Sequence, residues 1–394
     1  MAVEISTGGA KKGRGRLWLV VHGWLALPIW VLLFVVCVTG TLLSVAHELE
    51  WLATPTVRAS NPEGVEPLPL NDIVASVAQA YPEGIITRVR QPEPYLAYEV
   101  TVALPDAPFA RAHVNPYTGA VQGLTEGPGF TGFLFGLHSW LLFPWTGNFN
   151  LGWYIVTALG FPMLASVVTG LVVYKKFWKA FTQPRLRVTK GGRAFWGDFH
   201  RLSAMWGLWF TLIIAISGGW FLISLLIWSS GYKIFPDPPL VAREHVPAPG
   251  PAARRVMPDL DAAVAAAQAA VPGFRPSTIT LPDSAYSHAT LYGDNGFSFF
   301  GKSGHRVFVN PYTDEVGGTV VPGDMTALQV TSGLLPALHF GAFGGLVTKL
   351  IWFVFGTALS GVILSGIIIW TKRTAKATVD ILRPVNATAP AAAE

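Results

Sequence analysis

A single cysteine, Cys37, stands in a chain of 394 residues. That scarcity excludes an intramolecular disulfide, a Cys-ligated iron–sulfur cluster and a C-x-x-C-H haem attachment, so any redox cofactor must be held by something other than sulfur. Charge is scarce too: 13% of residues are charged, against about 25% in an ordinary soluble domain. No G-x-G-x-x-G or P-loop sequence occurs, which leaves no nucleotide-binding domain, and no stretch resembles a hydrolase or kinase motif. An A-x-A-like cleavage site is also missing. The basic start passes through a long apolar stretch directly into His47-Glu48-Leu49-Glu50, so this segment is expected to stay as an anchor.

What the chain has in plenty is apolar residues, 51% of the total, and they are clustered. Leu17–Val45, Phe149–Tyr174, Trp196–Ser229 and Phe343–Trp370 each contain a long stretch almost free of charge. A helix needs about 20 such residues to cross the hydrocarbon layer. Each stretch carries Trp or Tyr near its ends, where amphipathic rings favour the membrane interface. Four transmembrane helices are predicted. The fifteen tryptophans are mostly accounted for by such belts, and Gly132–Gly136 and Gly341–Gly345 suit bends or close helix approach.

Basic residues set the orientation. Lys11, Lys12, Arg14 and Arg16 precede span 1; Lys175, Lys176, Lys179, Arg185, Arg187, Lys190 and Arg193 lie between spans 2 and 3; Lys372, Arg373, Lys376 and Arg383 follow span 4. These are 15 of the 28 basic residues, and with four spans all fall on one side, which the positive-inside rule places in the cytoplasm. The net charge of +5 is thus a topology signal and no argument for nucleic acid.

The two halves repeat. At an offset of 178, His22 falls on His200, Ala26 on Ala204, Thr39 on Ser217 and Gly40 on Gly218. At 196, Thr169-Gly170 falls on Ser365-Gly366; at 195, Val114-Asn-Pro-Tyr-Thr matches Val309-Asn-Pro-Tyr-Thr. Each loop outside the membrane reads as a small α+β domain. In the first, Leu70–Tyr81 has helical spacing, and Ile85–Arg90, Ala97–Ala103 and Arg111–Val114 read as strands. In the second, Leu260–Ala270 reads as helix, and Ser277–Leu281, Ala289–Tyr292, Phe297–Phe300 and Val307–Val309 as strands. Pro236–Pro258 reads as a linker.

The predicted fold is a membrane all-α protein, four helices in a tandem pseudo-two-fold repeat with two small α+β domains. Its divisions are a basic cytoplasmic tail (1–16), helix 1 (17–47), a first outer domain (48–130), an interfacial segment with helix 2 (131–176), and a basic cytoplasmic loop (177–195). Helix 3 (196–230), a second outer domain (231–330), an interfacial segment with helix 4 (331–372) and a cytoplasmic tail (373–394) follow.

Histidines carry the chemical signal. Ionisable residues at membrane depth are costly and are functional candidates by default. A lone interfacial histidine more often serves a headgroup or backbone hydrogen bond; two pairs that obey an internal repeat are another matter. A pseudo-two-fold axis along the membrane normal sets His22 opposite His200 near the cytoplasmic face, and His138 opposite His339 near the outer one. Two opposed imidazoles supply both axial ligands of a haem b, so two haems are expected. At about 1.5 Å per residue, His22 to Gly40 covers roughly 27 Å, which puts the pairs at opposite faces. His47, whose repeat counterpart is Leu225, is an alternative ligand or third partner at the outer site. Arg201 either pairs with a haem propionate or simply follows the positive-inside bias. His113, His245, His288 and His305 are expected to be ordinary surface residues.

His22-Gly23-Trp24-Leu25, Phe199-His200-Arg201-Leu202, Gly136-Leu137-His138-Ser139, Leu338-His339-Phe340-Gly341 and the paired Val-Asn-Pro-Tyr-Thr turns resemble the PepSY-associated transmembrane family, over about Leu17 to Arg373. The resemblance implies an inner-membrane protein of a Gram-negative bacterium linked to iron uptake, of the kind that includes haem-binding ferric-siderophore reductases with PepSY-like periplasmic domains. Gly23 departs from the family, which often has Arg there, as this chain has at Arg201.

The expected function is therefore a di-haem protein, with both termini cytoplasmic and two periplasmic loops, that passes electrons across the bilayer to a ferric siderophore and releases Fe(II). Its electrons come from a quinol or a separate reductase. The alternatives are a transporter for iron, haem or siderophore, and a non-enzymatic PepSY sensor or peptidase-binding protein.

Overall fold

The computed structural model describes residues 17–25, 28–61, 63–174, 176–247 and 256–382. The expectations for Lys11, Lys12, Arg14, Arg16, Lys175 and Arg383, and for part of the linker, lie outside these residues.

In chain order the helices begin with α1 (Leu17–Leu25), α2 (Trp30–Leu43) and α3 (Ala46–Ala53). Next come α4 (Leu70–Ala80) and strands β1 (Ile85–Arg90), β2 (Tyr98–Ala103), β3 (Ala110–Val114) and β4 (Val121–Thr125). Helices α5 (Gly129–Trp140), α6 (Leu151–Ala158), α7 (Gly160–Val173), α8 (Phe177–Thr182), α9 (Gly192–Trp206) and α10 (Leu208–Ser229) follow. The second half adds α11 (Leu260–Ala270), β5 (Arg275–Thr280), β6 (Ala289–Asp294), β7 (His305–Val309), β8 (Val316–Val320), α12 (Ala327–Phe340) and α13 (Gly345–Leu382).

Among the described residues three helices are long and apolar enough to cross a membrane: Leu151–Val173, Leu208–Ser229 and Ala342–Lys372. The bent pair α1 and α2 makes a fourth if counted as one span. With that pair counted, the third of these apolar helices in chain order begins at Leu208, where a helix from Trp196 was expected. The helix breaks at Gly207, where residues Gly192–Trp206 with Arg193, Asp198, His200 and Arg201 form a separate, more polar element. His138 and His339 likewise sit on the short helices α5 and α12, ahead of the spans.

The chain divides into two compact units. One gathers the described parts of Met1–Val38, Phe161–Leu212 and Phe355–Glu394; the other gathers Thr39–Gly160 and Ile213–Val354. The second contains one antiparallel sheet of eight strands in the order β4-β3-β2-β1-β5-β6-β7-β8, where two separate domains were expected. β1 and β5 join the halves, with Arg88 opposite Thr280, Val89 opposite Ile279 and Arg90 opposite Thr278. Since β1 and β5 are related by an offset of 190, this register is the one a pseudo-two-fold axis at Val89/Ile279 requires. Joining them removes two exposed strand edges.

Helices α4 and α11 bury Ile73, Val77, Leu260, Ala263 and Ala267 against Val89, Val100, Val114, Ile279, Leu291 and Val309 in one hydrophobic core. The N-terminal N–H groups of a helix need outside partners, and here the repeats supply each other's. Leu70 and Asn71 donate their backbone N–H to the Asp261 carboxylate at 2.8 and 3.1 Å, and Leu260 N–H donates to Asn71 Oδ1 at 2.9 Å. Asn71 and Asp261 are equivalent positions of the repeat.

Three expectations are corrected here. Phe297–Phe300 forms no strand and lies in the β6–β7 connection, where Phe297 and Phe299 pack on each other and on Phe343; aromatic content suggested a strand, but the ladder is completed by β8 instead. β4 and β8 were not anticipated, since VQGLT and VGGTV carry the glycines of a turn. His113, His288 and His305 are buried, at 5%, 7% and 5% exposure; His113 Nε2 lies 2.9 Å from Thr125 Oγ1 and His288 Nδ1 lies 2.8 Å from the carbonyl oxygen of Pro239, partners within their own half of the sheet. His245 is half-buried and its Nδ1 lies 2.9 Å from Asn310 Nδ2.

Two candidate histidine metal centres

The first centre lies within the unit that holds α1, α7, α9 and the second half of α13. His22 on α1 faces His200 on α9, ring centroids 6.4 Å apart and planes at 76°. Both rings are half-buried. His200 Nδ1 lies 2.9 Å from the carbonyl oxygen of Val362 and 3.0 Å from Ser365 Oγ. A carbonyl only accepts, so Nδ1 of the neutral ring carries the proton and Nε2 keeps its lone pair. His22 repeats the arrangement: Nδ1 lies 3.0 Å from Thr169 Oγ1, and the ring also has a backbone hydrogen bond to Ser166. Ser166 and Val362, like Thr169 and Ser365, are equivalents at the offset of 196.

The hydroxyls have little choice of role. Thr169 Oγ1 donates to Ala165 O at 2.8 Å, so its one proton is committed and it accepts from the imidazole. The glycine after each hydroxyl lets the ring approach the helix. A Cβ on Gly170 would stand 3.4 Å from His22 Cε1, and one on Gly366 would stand 3.4 Å from His200 Cε1.

The second centre lies within the other unit. His138 on α5 and His339 on α12 have ring centroids 6.1 Å apart and planes at 50°. Ser217 Oγ lies 2.7 Å from His339 Nδ1 and donates to Ile213 O at 2.6 Å, so it too accepts from Nδ1–H. Thr39 Oγ1 lies 3.4 Å from His138 Nδ1. Gly40 is in tighter contact than its counterparts, for a Cβ there would meet His138 Cε1 at 2.7 Å. The α12 end is fixed by Trp352, whose Nε1–H donates to the carbonyls of Leu338 and His339 at 2.9 and 3.1 Å.

The donor sets fit a bis-imidazole metal centre. With a metal–nitrogen bond of about 2.0–2.1 Å and about 1.1 Å from nitrogen to ring centre, two axial imidazoles place their centroids roughly 6.3 Å apart. Engagement of Nδ1 by a second group, leaving Nε2 to bind, is the usual way a protein orients a metal-binding histidine. No group of three or more His, Cys, Asp or Glu that suits a bare metal ion occurs among the described residues. A macrocycle, which brings its own equatorial nitrogens, needs only the two imidazoles.

The structure places His47 and Arg201 in other company. Asp198 binds Arg187 through Nε at 2.7 Å and Nη2 at 2.9 Å and also pairs with Arg201. His47 on α3 lies 4.0 Å from Glu93 Oε1, in a cluster absent from the sequence reading. Lys349 Nζ bridges Glu93 Oε1 at 2.5 Å and Glu48 Oε1 at 3.0 Å, Lys302 Nζ reaches Glu93 Oε2 at 2.7 Å, and Tyr95 donates to Glu48 at 2.5 Å. Burial works to raise the carboxyl of Glu93, but its hydrogen bonds from Lys302 and Lys349 outweigh that and hold it below the ordinary value. Burial, reinforced by repulsion from Arg90 and Lys349, pushes His47 down to about 4, so its ring is neutral at pH 7. The repeat counterparts of His47, Glu48 and Lys349 are Leu225, Leu226 and Trp153, so the repeat does not reproduce this charged cluster, which joins Glu48 and Glu93 of the first half to Lys302 and Lys349 of the second. The only sequence signals were single charges beside apolar runs, which do not reveal partners far away in the chain.

The family described as the PepSY-associated TM region matches residues 19–373. No curated protein matches the chain.

Proposed function

The chain belongs to the PepSY-associated TM region family, and on that footing we propose that it is an inner-membrane di-haem protein that passes electrons to a periplasmic ferric siderophore. Both termini lie in the cytoplasm and the sheet lies in the periplasm. The observation that carries this reading is the pair of facing imidazoles, 6.4 and 6.1 Å between centroids, each with Nδ1 on a hydroxyl of a Ser/Thr-Gly step.

His22 with His200, and His138 with His339, would each hold one haem b through Nε2, and a haem so bound supplies a one-electron Fe(III)/Fe(II) couple. The residues of the chain do the rest. Thr169, Ser365 and Ser217 accept from Nδ1–H and so hold the tautomer that presents a lone pair at Nε2. Each pair packs against an apolar helix, through Gly170 and Gly366 at the first and Gly40 at the second, which would limit the access of water to the metal. Fe(III) is held tightly by the hard oxygen donors of a siderophore, and the softer, less charged Fe(II) is held less well, so one electron delivered at the periplasmic face loosens the metal.

The test is the visible spectrum of the purified protein. Two haems per chain with reducible Soret and α bands are expected, falling to one in His200→Ala and in His339→Ala. A preparation reconstituted with haem that shows no such bands would overturn the reading.

A further inference from the structure

The connection between α7 and α9 is folded onto the helix that carries His200. Phe181 of α8 stacks on Trp206 of α9, ring centroids 4.7 Å apart. Asp198 on α9, 5% exposed, accepts from Arg187 N, Nε and Nη2 and from Arg201. The loop is thereby pinned to α9, two residues from His200.

Asp198 is the sole acidic residue between Lys176 and Arg201. It is taken up by Arg187 and Arg201, so it offsets charge there and leaves the other basic side chains of this segment with no acid of the segment beside them. Lys176, Lys179, Arg185, Lys190, Arg193 and Arg201 are exposed around it. The positive-inside rule explains why basic residues are numerous here; it does not require the one acid to be withdrawn beneath them. Lys176 and Lys179 flank Trp178, which is 74% exposed, and suit the lipid headgroup region. Arg185, Lys190 and Arg193 lie in the polar connection that follows.

We propose that this α8–α9 hairpin is the docking surface for an acidic redox protein that donates electrons to the His22/His200 centre. A surface of one sign steers an oppositely charged partner and raises its association rate by about 10–1,000-fold at low salt. One electron leaves the partner's iron–sulfur or flavin group and enters the centre; no bond forms or breaks. The electron-transfer half of this inference rests on the haem reading. The docking half rests on the charge arrangement.

The experiment uses the full chain in nanodiscs of uncharged phosphatidylcholine, with reduced plant-type ferredoxin, an acidic protein, as the probe. Binding and stopped-flow haem reduction are measured at about 20 mM and about 500 mM NaCl. The wild type is expected to bind at low salt and to release at high salt. Arg185→Glu/Lys190→Glu/Arg193→Glu should slow association roughly tenfold or more, and the milder triple Gln variant should fall between, with the dithionite-reduced spectrum unchanged in all three. Equal binding by wild type and variants would overturn the proposal, as would a patch that binds anionic phosphatidylglycerol vesicles but not ferredoxin, which would make it a lipid site. A protein that binds ferredoxin but shows no Soret band keeps the docking surface and loses the haem reading. One whose Soret band responds to dithionite but which ignores ferredoxin does the reverse.

Discussion

His200 Nδ1 donates to the backbone carbonyl of Val362 at 2.9 Å as well as meeting Ser365 Oγ at 3.0 Å. The carbonyl fixes the proton on Nδ1 whatever the serine does. His339 is placed differently, since the partner that engages its Nδ1 is Ser217 Oγ at 2.7 Å. Removing the two hydroxyls should therefore have unequal effects. Ser217→Ala is expected to weaken haem binding at its centre by about 10–100-fold, and Ser365→Ala by clearly less, as read by haem titration of the apoprotein.

Gly40 and Gly170 make a second contrast. A Cβ on Gly40 would lie 2.7 Å from His138 Cε1, closer than real contacts allow, whereas on Gly170 it would sit 3.4 Å from His22 Cε1. Alanine in a helix is worth up to about 1 kcal/mol over glycine, so neither change should harm the helix itself. Gly40→Ala should displace His138 and alter the spectrum of that centre, while Gly170→Ala leaves its own centre intact. Difference absorbance spectra of the two variants check this.

Lys349 is 4% exposed and sits between Glu48 and Glu93. Lys349→Met leaves the cluster one negative charge in excess, and breaking a buried pair in this way costs about 3–5 kcal/mol. Lys349→Met/Glu48→Gln restores the balance, keeps an acceptor for Tyr95, and leaves Glu93 with Lys302. The double variant should regain a substantial part of the lost stability in thermal unfolding.

Burial lowers the pKa of His113 and of His305 below the ordinary value of 6.5. In the unfolded chain both take up protons first as pH falls, so unfolding is favoured. Their contribution to stability is complete above pH 6.5 and is lost as pH drops towards the folded-state values. The melting temperature of the sheet should fall between pH 7 and pH 5, and His305→Leu should flatten that slope.

Much of this was legible in the sequence because the signals were local or periodic. Leu70, Ile73, Val74 and Val77 mark one helical face, and Leu260–Ala270 was bounded as found. The gapless match of His22 to His200 and Thr39 to Ser217 pointed to facing pairs. Pairing of β1 with β5 was not legible, since it joins residues about 190 apart in the chain with no turn to announce it. The Glu48–Glu93–Lys349–Lys302 cluster was hidden for the same reason: its four charges come from four separate segments. The hydroxyl partners were within reach, for a Ser/Thr-Gly step recurs at 39–40, 169–170, 217–218 and 365–366. What periodicity does not supply is which atom each hydroxyl meets.

The most direct measurement is haem stoichiometry, by pyridine haemochromogen assay on reconstituted protein, for the wild type and for His22→Ala, His200→Ala, His138→Ala and His339→Ala. Two facing pairs predict two haems in the wild type and one in each single variant. The two variants of a pair should share one residual spectrum that differs from that of the other pair. Unchanged stoichiometry in all four variants, or no haem in the wild type, would contradict it.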